Sequence, residues 1–231
     1  MDFNSIYDSF YAQFRLESDA PASTEDEYMT GMILANEAIN RWSNYDGTYW
    51  KELFTTLQAS TQVSPTLVRT ITTNDTTYVC PTDFKEAGGS VRLLDSDGNI
   101  RKRYSIIEAQ EVQFKDSNAA FAYFTGNPKT GYTLNLNPAP EADLSGLAID
   151  YDYYKTPALF TTGTDVPEMS EPYFIVHRML ANQFRGSRNP YYSSAKADAE
   201  DVLRTMQLDN NSGTWANPWQ LGDTSGTVWG G

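Results

Sequence analysis

The sequence predicts an α+β fold: a discontinuous helical bundle built from both chain ends, with an inserted antiparallel β domain and an extended C-terminal arm. Three observations point there. Apolar residues recur at spacings of three and four up to about residue 60, and again from about 170 to 206. Between these stretches lie short runs rich in Thr, Tyr, Val and Ile, separated by turn dipeptides. Beyond residue 207 neither period survives. The expected divisions are 1–62 (helical, first part), 63–168 (β), 169–207 (helical, second part) and 208–231 (arm).

The first helix is expected over Asn4 to Phe14, with Ile6, Tyr7, Phe10, Tyr11 and Phe14 on adjoining faces. Pro21 breaks the chain, and Ser23 or Thr24 offers an N-cap ahead of Glu25, Asp26 and Glu27, whose charges suit the positive end of a helix. Tyr28, Met32, Ala35, Ile39 and Trp42 then form a buried helical seam. After Asp46-Gly47 a third helix is expected, with Trp50, Leu53, Phe54 and Leu57 on one face. Three helices with short connections read as a bundle.

The pattern changes near Ser64-Pro65. Asp97-Gly98 joins Ser90–Leu94 to Ile100–Tyr104 as a hairpin. Gly126-Asn127-Pro128 and Lys129-Thr130-Gly131 bound another turn, after which Tyr132, Leu134 and Leu136 alternate with Thr133, Asn135 and Asn137. Leu147, Ile149, Tyr151 and Tyr153 alternate with Ala148, Asp150, Asp152 and Tyr154. A half-buried antiparallel sheet or small barrel is expected, not a parallel one. Helical period returns after an N-cap at Ser170-Glu171-Pro172. Tyr173, Val176, Leu180 and Phe184 share a face and Gly186 stops the run. Asn189-Pro190 opens the last helix, with Tyr192, Ala195, Ala199, Val202 and Met206 inward. From Leu208 the chain is rich in Asn, Ser, Thr and Gly, has no Lys or Arg, and yet holds Trp215, Trp219 and Trp229. Such a composition is expected to be disordered alone and ordered by docking, with the three indoles as anchors.

Acids outnumber bases 30 to 17, a formal charge of −13, which excludes a general nucleic-acid binder whose affinity rests on Lys and Arg. One cysteine, Cys80, excludes an internal disulfide framework and a Cys-based metal cluster. The amino terminus lacks a basic, apolar leader, so no secretory signal is expected, and no apolar run is long enough to span a membrane.

Residues that could carry chemistry are few. The single histidine, His177, sits mid-helix without an advertised partner, and reads as a packing or interfacial residue. Cys80 reads as a small buried hydrophobe. Asp95-Ser96-Asp97-Gly98-Asn99 is a turn, because its glycine falls too early and no closing glutamate follows for a calcium loop. Asp150 and Asp152 share a strand face. Exposed polar alternation accounts for them, the other use of such a pair being glycoside hydrolysis. Arg101, Lys102 and Arg103 are the densest basic cluster, read either as a solvated strand edge or as a docking point for an acidic neighbouring subunit or tail protein. No enzyme, no cofactor and no metal are expected.

Several segments, in this order, resemble the head-to-tail adaptor (head completion, connector) proteins of tailed bacteriophages: Glu37-Ala38-Ile39-Asn40-Arg41-Trp42, Trp50, Tyr78-Val79-Cys80-Pro81-Thr82-Asp83-Phe84, Leu134-Asn135-Leu136-Asn137-Pro138-Ala139-Pro140, Tyr153-Tyr154-Lys155-Thr156-Pro157-Ala158-Leu159, and Asp165-Val166-Pro167 before a helix. The resemblance spans roughly residues 27 to 206. It implies a virion structural protein in a ring of about twelve copies under the portal protein, extending the DNA channel and meeting tail or neck proteins. It also implies a place at the head–tail junction after assembly in the host cytoplasm, and DNA passing through the lumen without specific binding. Trp215, Trp219 and Trp229 would dock on the portal or a neighbouring subunit, and Arg101, Lys102 and Arg103 on a neighbour or the tail. A tail-tube or tail-completion protein, or a carbohydrate-binding or carbohydrate-active β module, are the alternatives.

Overall fold

A computed structural model describes residues 1–15, 20–58, 69–116 and 118–212. It is a mixed α+β fold, with several helices and a curled seven-stranded sheet. The chain divides into two compact units. One joins Met1–Leu53 to the described part of Pro157–Trp215, and the other contains Phe54–Thr156.

The helical unit contains α1 (Phe3–Arg15), α2 (Asp26–Ser43), α3 (Tyr173–Ser187) and α4 (Tyr192–Ser212). Helix α1 is capped by Asp2, whose Oδ1 accepts from Ser5 N at 2.9 Å and Ser5 Oγ at 2.6 Å. It buries Phe3, Ile6, Tyr7 and Phe10. On α2 the expected seam is buried throughout, Tyr28, Met32, Ala35, Ile39 and Trp42 all lying inside. Its N-cap is Glu25 rather than Ser23 or Thr24, and no side chain caps it. Helix α3 follows Pro172 rather than Ser170 and runs past Gly186 to Ser187, where Arg188 turns left-handed at φ 53°. Its buried arc, from Phe174 through Val176 to Ala181, is wider than the expected stripe because α3 packs on α1, α2 and α4 together. Tyr173, expected inward, is 49% exposed, and Phe184 is half-buried. Helix α4 turns Ala195, Ala199, Leu203 and Met206 inward, with Tyr192 and Val202 half-buried.

Two expectations fail within this stretch of chain. There is no third helix on Trp50, Leu53, Phe54 and Leu57. Lys51–Leu53 is one 3₁₀ turn, and the chain then becomes a strand. Trp50 instead packs on Trp42, ring centroids 5.4 Å apart, and its Nε1 donates to Trp42 O at 2.7 Å. The arm does not begin at Leu208 either, because α4 stays helical to Ser212. Buried Asn210 holds that last turn: its Oδ1 accepts from Lys51 N at 2.9 Å and its Nδ2 donates to Tyr49 O at 2.9 Å. The rest of the expected arm, 213–231, lies outside the described residues.

The sheet unit contains β1 (Phe54–Thr56), β2 (Thr77–Val79), β3 (Phe84–Leu94), β4 (Ile100–Ile106), β5 (Phe121–Asn127), β6 (Gly131–Asn137) and β7 (Ala148–Lys155), in the order β1-β7-β3-β4-β5-β6-β2. The expected hairpins form: β3 pairs β4 around the Asp97-Gly98 turn, and β5 pairs β6 from Phe121↔Asn137 to Asn127↔Gly131. Gly126 sits beneath that second turn, and a Cβ there would run into Gly131 O, so no other residue fits. One ladder contradicts the all-antiparallel expectation. Strands β4 and β5 run parallel through Ser105↔Phe121 and Ile106↔Ala122. The excursion over residues 107–120, with a 3₁₀ turn at Ala109–Phe114, returns the chain in the same direction. The sheet folds around a core that includes Val91, Leu93, Tyr104, Ile149, Tyr151 and Tyr153. Among the described residues no helix is long and apolar enough to cross a membrane.

Candidate interaction surface

Asp150 and Asp152 are not exposed polar alternation. Both are largely covered, and both are held by Arg92, a residue the sequence had not singled out. Arg92 Nη2 lies 2.7 Å from Asp150 Oδ2 and 2.7 Å from Asp152 Oδ1, and Nη1 lies 3.2 Å from Asp152 Oδ2. Burial alone would lower the pKa of Arg92, but the hydrogen bonds and charges of Asp152 and Asp150 outweigh it and raise it. The arrangement follows from register: Arg92 faces Asp150 across the β3–β7 ladder, and Gly88 faces Asp152, with an irregularity between. A bidentate arginine shared by two carboxylates ties strands together and occupies the oxygens an acid–base pair would need free.

The other candidates are equally occupied. Burial pushes the Cys80 thiol up to about 12, against the smaller lowering effects of Tyr151 and the Leu134 backbone, so a nucleophilic thiolate is not available at neutral pH. Asp95 organises its turn as expected, its Oδ1 accepting from Asp97 N at 3.0 Å and Asn99 N at 2.8 Å. His177 lies half-buried on α3. Among the described residues no group of three His, Cys, Asp or Glu side chains could hold a metal ion.

The basic run on β4 does not form a single patch. Lys102 stands opposite buried Leu93, and its Nζ lies 5.4 Å from the Tyr104 ring centroid. Arg103 stands opposite Arg92 and is exposed. The ladder skips Arg101, the extra residue of a bulge, and its guanidinium reaches Asp95 at 3.9 Å. Three consecutive bases therefore point into three environments, with Arg101 and Arg103 the two presented to solvent. Trp215, Trp219 and Trp229 lie outside the described residues.

Two features were missed by the sequence reading. Residues 54–156 hold nine basic and twelve acidic side chains, whereas the remainder of the chain holds eight and eighteen, so the negative charge is concentrated outside the sheet unit. In the helical unit an open groove of about 180 Å³ runs between α1 and α2, lined by Tyr7, Phe10, Tyr11, Phe14, Leu34 and the backbone of Gly31. Gly31 is what allows it. A Cβ there would collide with the Tyr7 ring, so α1 rests directly on the α2 backbone. Burial, with Glu27 next in effect, pushes the Tyr7 hydroxyl up to about 12, which keeps it neutral. Tyr11 and Phe14 were legible as apolar, but not as the wall of an open groove. No family model and no curated protein matches this chain, so residues and geometry alone bear on its function.

Proposed function

We propose that this chain is a virion structural protein of a tailed bacteriophage, a head-to-tail adaptor whose copies form a ring beneath the portal, extend the DNA channel and attach the tail. The observation that carries this reading is the order of the chain: helices from both ends form one unit, and the stretch between them forms a sheet unit. In this reading the fold is the discontinuous helical bundle with an inserted β domain, about twelve copies make the ring, and the C-terminal segment is the arm that docks on the portal or a neighbour. The molecule acts by assembly and not by catalysis. Its place is the head–tail junction, with portal, neck or tail proteins as partners and no membrane.

The charge supports the role physically. A channel for DNA must not grip phosphate, and a chain at −13 has few of the cationic contacts whose counterion release would hold the duplex. Arg101 and Arg103 are the exposed bases offered to an acidic neighbour or tail protein. The carbohydrate-active alternative is disfavoured by the Arg92 clamp on Asp150 and Asp152. Co-sedimentation with the portal protein of the same phage tests the reading. The chain should travel with the portal and remain behind when mixed with oligosaccharide resin. Retention on the resin with none on the portal would reverse the assignment.

A further inference from the structure

The inward stripe of α4 ends on a polar residue. Ala195, Ala199, Leu203 and Met206 are buried along one face, and the next position on that face is Asn210, 7% exposed. After Gln207 the helix consists of Leu208, Asp209, Asn210, Asn211 and Ser212. Asp, Asn and Ser are poor helix formers, because their side chains compete with the helix for backbone groups. Leu208 is 60% exposed and Asn211 is exposed as well. The last turn holds no basic residue to meet the negative end of the helix dipole. Neither propensity nor apolar burial nor a basic side chain keeps this turn helical.

What holds it is a set of hydrogen bonds to the stretch that leads into β1. Asn210 Oδ1 accepts from Lys51 N at 2.9 Å, and its Nδ2 donates to Tyr49 O at 2.9 Å. One turn earlier, Gln207 Nε2 donates to Thr48 Oγ1 at 2.8 Å. The receiving stretch is also anchored to α2, since Trp50 is buried against Trp42 and donates to its carbonyl. It therefore stays in place when the turn leaves. Hydrogen bonds of this kind exchange for water at a small net cost, which an apolar anchor at position 210 would not allow. A turn with exposed flanks and one buried polar contact belongs to the low-stability end of local opening.

We propose that Leu208–Ser212 is a releasable catch at the root of the C-terminal segment. It is helical while Asn210 is bonded to Tyr49 and Lys51, and it unwinds into the segment when those bonds open. Helix α4 up to Gln207 stays in place. The released residues rise about 7.5 Å as helix and span about 17 Å when extended, so release adds about 9 Å of reach. The catch is a property of the free chain and holds whether or not the chain is an adaptor. In the adaptor reading it gives the docking arm an adjustable length.

Hydrogen exchange of the full chain, read by mass spectrometry, tests this. The amides of 208–212 should exchange at least about tenfold faster than those of 199–206. Asn210→Ala should speed 208–212 by about tenfold more, together with the Lys51 amide, and leave α1, α2 and α3 unchanged. Asn211→Ala favours helix at an exposed position, and should slow 208–212 about two- to threefold and nothing else. Spin labels on Ser194→Cys and Asn211→Cys, both exposed, report the unwinding as a distance. The native Cys80 is 4% exposed and does not compete for label. Adding Asn210→Ala should give the interlabel distance a broad, longer component. Exchange at 208–212 as slow as at 199–206 overturns the proposal, as do exchange and distance indifferent to Asn210→Ala. Protection lost throughout the helical unit in Asn210→Ala also overturns it, because Asn210 then supports the bundle and closes no catch. If Asn210→Ala does not fold, Asn211→Ala decides: slowing confined to 208–212 supports the catch, and no change overturns it.

Discussion

Trp42 has no solvent exposure, and its Nε1 meets no acceptor among the described residues, so its side chain contributes through packing. Trp42→Ala should cost about 3–5 kcal/mol, the range for emptying a large aromatic site, read as a lowered midpoint in denaturant. Trp42→Phe should cost much less. Asp165 works differently. Its carboxylate accepts from Thr161 N at 2.6 Å, Thr162 N at 2.7 Å and both threonine hydroxyls, and these bonds hold its pKa below the ordinary carboxylate range. The turn it ties supplies Asp165 O and Gly163 O to the N–H groups of Phe3 and Asn4 at 2.9 Å each, satisfying the first turn of α1. A depressed carboxylate stabilises the fold fully above its unfolded value and loses that stabilisation as pH falls through the folded value. Thermal melts should therefore separate wild type from Asp165→Asn at neutral pH, and the gap should narrow as the pH is taken below about 4. A gap that widens in acid would show that the turn is held by something else.

Among strands and helices, the Arg92 clamp is the sharpest case. Removing it as Arg92→Leu leaves two largely covered carboxylates side by side on β7. The cost should be about 2–3 kcal/mol in a denaturant titration, less than for a fully buried pair because part of the guanidinium still meets water. Asp150→Asn with Asp152→Asn in the same chain should recover part of it. Such a clamp could not be read from the sequence. Alternation says that Asp150 and Asp152 share a face, but it does not say which residue of a distant strand lies across from them. What was legible followed from local periods and turn residues: the α2 seam, the hairpin at Asp97-Gly98, and the alternation of β6; on β7 both faces are covered, Asp150 and Tyr154 included. The failures came where tertiary pairing overrode a local pattern. Trp50, Leu53, Phe54 and Leu57 carry a helical spacing, yet Phe54, Thr55 and Thr56 are aromatic and β-branched and pair with Tyr154, Tyr153 and Asp152. The parallel β4–β5 ladder depends on the excursion between its strands and not on either strand's own residues. The groove depends on how closely α1 approaches Gly31, which no local period reports.

For the whole molecule, charge sets the conditions of self-association. Each copy carries −13, with eighteen of the 30 acids outside the sheet unit, so copies repel one another until specific contacts and salt offset the repulsion. Light scattering of the purified chain should report a monomer or weak oligomer at low salt, with self-association rising as salt screens that repulsion. A stable closed ring at low salt would contradict this. The proposed function turns on whether the chain completes a portal, and electron micrographs of the portal protein encoded beside this chain, alone and mixed with an excess of it, measure that directly. The adaptor reading predicts an added annulus on one end of every portal ring, coaxial with the channel. Portals that stay bare at saturating protein would contradict it.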